Sequence, residues 1–269
     1  MALYHCSVRL CSRRNGRSAT GTCAYILGRK MTDEYTGKIY NYAWREDVLY
    51  REVLLPDAAP VSLMNVQTLM DAANRAERRS DARIGRVFDM ALPREFDMKN
   101  WTELVREYAR MNFTCNGHAA VVAIHAGGSD PHSTLATAPE REKNNPHVHL
   151  LVLTRPLDEK GFQLTKSGSR WMDKVSALVS WRKNWADLLN RYLERSGYRD
   201  RVVSHESLAR QGIEREPTIH MGARVMALQR KGIRTERGER YQEIQRINKE
   251  RTRRMNREPE REPECTRSR

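Results

Sequence analysis

Residues 119–128 read AAVVAIHAGG and residues 146–153 read PHVHLLVL. Both are short apolar runs bounded by turn-forming residues, the pattern of strands buried on both faces. A strand sends residues i and i+2 to the same side, so His147 and His149 are aimed side by side. His125 closes the other apolar run. If the two strands pair as a hairpin around the 127–146 segment, a third imidazole falls beside the first two. Three imidazoles with coordination positions left over form the donor set of a catalytic metal site, which water or substrate completes. Isolated, hydrogen-bonded histidines at strand ends are the alternative that spacing leaves open.

Working outward, strands and helices alternate. Residues 3–9 and 85–92 alternate as strands, the second ended by Pro93. Residues 18–30, SATGTCAYILGRK, read as a helix with Ser18 as N-cap and Gly28 near its end. Residues 35–55 are aromatic and β-branched around Thr36-Gly37, which predicts a hairpin. Helices are expected over 61–81, 98–112 and 172–196; the last turns Trp181, Trp185, Leu188, Leu189 and Tyr192 inward. A polar helix over 234–256, with Tyr241, Ile244 and Ile247 on one side, precedes REPEREPECTRSR, which reads as disorder. These shifts place a boundary near residue 232, giving a body of 1–232 and a charged extension of 233–269.

The chain has 48 Lys and Arg against 34 Asp and Glu, a net charge of +14. Residues 233–269 contribute 12 basic and 8 acidic groups, so the body is itself basic by +10. A polyanionic partner, most simply nucleic acid, is implied. No apolar run is long enough to span a membrane, and the first 18 residues lack the apolar stretch of a secretory signal. Five cysteines (Cys6, Cys11, Cys23, Cys115 and Cys265), with no CxxC pair, argue against a disulfide framework and for a reducing, cytoplasmic home.

A metal and a basic surface suggest phosphodiester chemistry, with either water or a side-chain hydroxyl as nucleophile. Tyr25 differs in setting from the other nine tyrosines. It follows the basic loop CSRRNGRS and stands among Ala19, Gly21, Thr22 and Ala24, small residues that would admit a substrate. Asp89, inside GRVFDMALP, is a carboxylate in a half-buried strand; it is either the hydrogen-bond partner of a metal-binding His or an edge-strand surface group.

At this point the sequence resembles the MobA/MobL relaxases, mobilisation proteins of the HUH endonuclease class, named for two His separated by one apolar residue. The matching stretches run in family order over roughly residues 2–232: LYHCSVRLCSRRNGRSATGTCAY, DEYTGKIYNYAWREDVLYREVLLPDAAP, AIHAGG, NPHVHLLVLTRPLDEKGF, WRKNWADLLNRYLERSG and QGIEREPTIHMG. The resemblance implies an α+β fold, a central antiparallel sheet of about five strands flanked by helices with the metal on its central strands. It implies that Tyr25 matches the nucleophile and that His125, His147 and His149 match the ligands of Mg²⁺ or Mn²⁺. Asp89 stands where the family usually has Glu, and its shorter side chain leaves two roles, orienting a His or accepting the Tyr proton. The 127–146 segment is longer than is usual. VSHESL departs from the more common DHRSL, so His205 has no role; His220 matches PxxHxG without a chemical task.

The implied activity is site- and strand-specific nicking and rejoining of DNA at a plasmid transfer origin, through a 5′-phosphotyrosine. The implied partners are single-stranded DNA and accessory relaxosome proteins. Arg13, Arg14, Arg17 and Arg155 are the expected phosphate contacts, because a guanidinium binds phosphate bidentately. Family members often carry primase or helicase parts downstream, to which the extension after residue 232 could be a linker. Rival readings are a replication initiator or transposase of the same class, a hydrolase that uses water, and a DNA-binding scaffold with a structural metal. The last fits poorly, since structural zinc sites favour closed, Cys-rich sets and no Cys lies near residues 125 or 147–149.

Overall fold

A computed structural model describes residues 4–127, 145–219 and 221–257. Most of the 127–146 segment, His220, and residues 258–269 of the stretch read as disorder lie outside the described residues. The chain divides into two compact units, Met1–His205 and Glu206–Arg269.

The first unit runs β1 (Cys6–Ser12), α1 (Ala19–Leu27), β2 (Lys30–Thr32), β3 (Ile39–Asn41), β4 (Val48–Leu54), α2 (Val66–Ala76), β5 (Arg83–Ala91), α3 (Met98–Asn112), β6 (Ala120–His125), β7 (His147–Leu153), β8 (Leu157–Asp158), β9 (Gly161–Phe162) and α4 (Val175–Arg195). Five strands form one sheet in the order β1-β5-β7-β6-β4, every neighbouring pair antiparallel. The expected α+β architecture with a five-stranded antiparallel sheet is therefore present. Its three inner strands, β5, β7 and β6, are the most buried, as strands covered on both faces must be.

Each face of the sheet has its own core. Phe88, Met90, Val122, Ile124, Val148 and Leu150 meet the apolar stripes of α3 and α4, among them Trp101, Tyr108, Trp181 and Trp185. On the opposite face, Val87, Val121, Ala123, Leu151 and Leu153 meet Ile26 and Leu27 of α1 and Leu69 and Met70 of α2. Alternation along β6 and β7 thus puts His125, His147 and His149 on the α1/α2 face, past the last apolar positions of that stripe.

Local chemistry sets the helix ends. The Ser18 hydroxyl accepts from Gly21 N–H at 2.9 Å, and Gly28 ends α1 in the left-handed conformation at φ 57°. The expected helix over 61–81 is interrupted. Val61–Met64 is a 3-10 turn, and Asn65 starts α2 by accepting from Gln67 and Thr68 N–H. The hairpin expected within 35–55 forms around its Thr36-Gly37 turn, but its arms are β2 and β3, the first lying before residue 35, while β4 leaves to pair with β6. Alternation placed the first strand at 3–9 where Cys6–Ser12 forms it, and the strand at 85–92 close to Arg83–Ala91, and it was silent on their partners, which lie elsewhere in the sequence.

In the second unit, α5 (Gly222–Arg230) precedes α6 (Glu236–Arg257), which realises the expected polar helix. Ile244 is buried, and the Asn248 side-chain amide exchanges two hydrogen bonds with the Glu216 backbone at 2.8 and 2.9 Å. Among the described residues, no helix is long and apolar enough to cross a membrane.

Candidate functional site

The hairpin pairing of β6 with β7 sets His125 directly opposite His147, and Ala123 opposite His149. The three ring centroids lie 4.6–5.2 Å apart, and one donor atom from each falls within 4.8 Å of the others. His125 is fully buried and His149 nearly so. Burial, reinforced by the neighbouring imidazoles, pushes His125 down to about 4 and His149 down to about 2. Both rings are therefore neutral at pH 7 and offer lone pairs.

The donor set suits a cation. His147 Nδ1 donates to the Asn145 carbonyl at 2.9 Å, leaving Nε2 as an acceptor. His125 Nε2 donates to the Ile26 carbonyl at 2.7 Å, leaving Nδ1. His149 Nδ1 is buried without any hydrogen-bond partner. A buried polar atom left unpaired is costly, and a metal ion is the group that three convergent imidazole lone pairs accept. Cys6, Cys11, Cys23 and Cys115 are free thiols outside this cluster, three of them buried.

Helix α1 delivers Tyr25 to the same end of the sheet. Tyr25 is the exposed residue of a helix whose other large side chains, Ile26 and Leu27, are buried. The last carbonyls of a helix lack internal partners and carry its negative pole. Here three consecutive carbonyls are met by side chains: Arg45 donates to Tyr25, His125 to Ile26, and Arg51 to Leu27. The candidate metal ligand His125 is thus also a fastening of the Tyr25 helix. The small residues of α1 serve packing rather than substrate approach. Ala19 and Ala24 are core, and any Cβ on Gly21 would lie 2.8 Å from the Tyr40 ring.

The carboxylates are arranged differently from the sequence reading. Asp89 faces His149 in register, but its carboxylate lies 3.7 Å from the Arg9 guanidinium and forms no bond to His149 Nδ1. The acid beside the imidazoles is Asp47, 3.9 Å from His125 Nδ1. Burial would raise the Asp47 carboxyl; the Arg45 hydrogen bonds and charge outweigh it and hold the group below the ordinary carboxylate value. Neither Arg45 nor Asp47 was singled out by the sequence, where WRED lay inside the expected hairpin. The available signal was an Arg and an Asp two residues apart, just before strand β4.

Of the four expected phosphate contacts, Arg14 and Arg17 are exposed. Arg13 is committed to the end of α2, donating to the carbonyls of Asn74, Glu77 and Arg79 while lying over the Tyr35 ring. Arg155 is committed likewise, to the Glu77 carboxylate and the carbonyls of Gln163 and Leu164.

Known proteins resemble this chain in sequence and fold. The probable mobilization protein MobA of Bifidobacterium longum is 33% identical over 288 aligned residues, which cover 92% of this chain and 48% of that protein. The mobilization protein MobL of Acidithiobacillus ferridurans is 32% identical, over 86% of this chain and 65% of that protein. The chain thus spans about half to two-thirds of these relatives' lengths. A structure solved for the molecular basis of vancomycin resistance transfer in Staphylococcus aureus superposes with a TM-score of 0.65 at 28% identity, over 77% of this chain and all of that one. The sequence model of the MobA/MobL family matches residues 17–231, and the chain belongs to that family.

Proposed function

We propose that this chain nicks and rejoins one strand of DNA at a transfer origin and so starts conjugative mobilisation, with Tyr25 as nucleophile and His125, His147 and His149 as holders of a divalent cation. The observation that carries the reading is the convergence of three imidazoles on the end of the helix that exposes Tyr25. Family membership and the mobilisation names of its relatives support it.

A cation held by the three rings, Mg²⁺ or Mn²⁺, would supply charge neutralisation and Lewis-acid polarisation of a phosphoryl oxygen. The Tyr25 phenolic oxygen forms a bond to the scissile phosphorus. The bond from phosphorus to the 3′ oxygen breaks, that oxygen takes up a proton, and the 5′ end stays on Tyr25. One phosphodiester is exchanged for another, so the bond energy is kept for rejoining. A phenol ionises near pH 10, and its proton needs an acceptor. Asp89, across the sheet register from His149, keeps both roles in this reading, orienting that ring or accepting the proton. Arg14 and Arg17, exposed on the loop before α1, are the phosphate contacts this reading favours. Arg13 and Arg155 would support the site through the fold. The proposed site of action is the cytoplasm, with single-stranded DNA and accessory relaxosome proteins as partners.

The test uses single-stranded oligonucleotides tiled across the DNA flanking the gene, with Mn²⁺. The expected result is an SDS-resistant adduct whose peptide mass maps to Tyr25, absent in Tyr25→Phe with strand binding retained. His147→Ala is expected to lose cation affinity and cleavage together. An adduct surviving in Tyr25→Phe would end the assignment, and cleavage without adduct would favour water as nucleophile.

A further inference from the structure

Arg45 lies between the two halves of the proposed site. It stands in the turn from β3 to β4, and its side chain is only 9% exposed. Its guanidinium carbon sits 4.2 Å from the centre of the Tyr25 ring, within reach of a cation–π contact. Nη1 donates to the Tyr25 carbonyl at 3.0 Å, and Nε and Nη2 grip the Asp47 carboxylate as a fork at 2.9 and 2.5 Å. Nη2 also lies 3.3 Å from His125 Nδ1, the ring nitrogen left with a lone pair once Nε2 donates to Ile26. One rigid, planar cation therefore touches the proposed nucleophile by ring and backbone, and a proposed ligand by its free nitrogen.

We infer that Arg45 is a positioning residue that couples occupancy of the histidine cluster to the placement of the Tyr25 ring. The inference rests on the roles given above to Tyr25 and the histidines. A cation bound by His125 Nδ1 claims the lone pair that Arg45 faces in this structure. It also brings positive charge close to the guanidinium, which repels it. Arg45 keeps its other partners, Asp47 and Tyr25, so the guanidinium shifts against the ring it covers. Loading of the cluster is thereby transmitted to the tyrosine without direct contact between ring and ion. Lysine cannot replace the arrangement, because an ammonium on a flexible stem cannot grip a carboxylate as a fork and lie flat on a ring together.

The coupling has a readout independent of cleavage. With 3-fluorotyrosine at position 25, the ¹⁹F resonance is followed while Mg²⁺ is added, and cation affinity is measured separately from Mn²⁺ EPR. The unchanged arginine protein should show a resonance that moves as the site fills. In Arg45→Gln the movement should vanish while the Mn²⁺ dissociation constant stays within about threefold. Single-turnover cleavage of a bound strand should fall roughly 100-fold in the same variant, the scale of a small misplacement of reacting groups, with strand affinity little changed. Arg45→Lys keeps an ionic partner for Asp47, and carries the comparison if the glutamine variant does not fold; it too should lose the ¹⁹F response. A resonance that moves equally in the variants, or stays still in the parent while the site fills, overturns the coupling and leaves the tyrosine–histidine reading intact. Failure of the parent to bind Mn²⁺ at all would instead sink both.

Discussion

The two faces of the central sheet are built from different materials. Against α3 and α4 the filling is large and aromatic: Phe88 lies 5.0 Å from Phe113 and 5.2 Å from Trp181, and Tyr108 lies 5.1 Å from Trp185, ring centre to ring centre. Even the polar atom of Tyr108 is used, its hydroxyl donating to the Trp181 carbonyl. Against α1 and α2 the buried filling is aliphatic and mixed in size, from Cys23, Ala24, Ala119 and Ala123 to Leu69, Met70 and Leu151, and the face ends in three imidazoles. There His149 keeps a buried nitrogen with no partner. Trp185 Nε1 on the first face is unpaired as well, so an orphaned nitrogen alone does not separate the two. What separates them is that the second face gathers three titratable rings at one point, a grouping that folding does not call for, and function is to be sought there.

This contrast can be broken by experiment. The largest effect is expected on the aromatic face: Phe88→Ala should cost about 3–5 kcal/mol in denaturant unfolding, from lost burial and a cavity. A loss under about 1 kcal/mol would show that the face is not the stabilising one.

A smaller effect is expected from acid on the imidazole face, with chelator present. His125 and His149 have folded values of about 4 and 2, below the ordinary 6.5. Between these limits the unfolded chain binds protons that the folded chain refuses. Stability is therefore full above pH 6.5 and drains as pH falls toward the folded values. Urea midpoints measured from pH 7.5 to 6 should decline by the equivalent of about 1.5 kcal/mol for the two rings together, and a flat profile would mean the rings are not held neutral. The smallest change should have the opposite sign. His149→Leu replaces an orphaned buried nitrogen with an apolar group, and should stabilise the metal-free protein by about 1 kcal/mol while flattening the acid response. Destabilisation there would mean the imidazole contributes packing that its missing hydrogen bond conceals.

How far the sequence disclosed all this follows from the range of each interaction. His147 and His149 were legible because strand geometry repeats every two residues. His125 was legible because an apolar run ended on it. The two caps of α1 were legible because helix signals are local, while Tyr25 stood out by its place after a basic loop and by the family resemblance. Arg45 was not, since its partners Tyr25 and His125 are 20 and 80 positions away. The same distance hid the use of Arg13, whose acceptors lie where α2 happens to end. The misplaced hairpin has the same cause, as β4 finds its partner in β6 across α2, β5 and α3.

Where β6 and β7 leave the sheet, Asn145 N–H donates to the Gly127 carbonyl at 3.3 Å, and Gly127, at φ 71°, sits so close that any Cβ would strike the Asn145 carbonyl. That clasp holds β6 and β7 together just beyond their last ladder pair, His125 with His147. The register of the imidazoles is therefore guarded by a position that glycine alone fills without strain. Inheritance of the chemistry is tied to a residue with no side chain and no part in it.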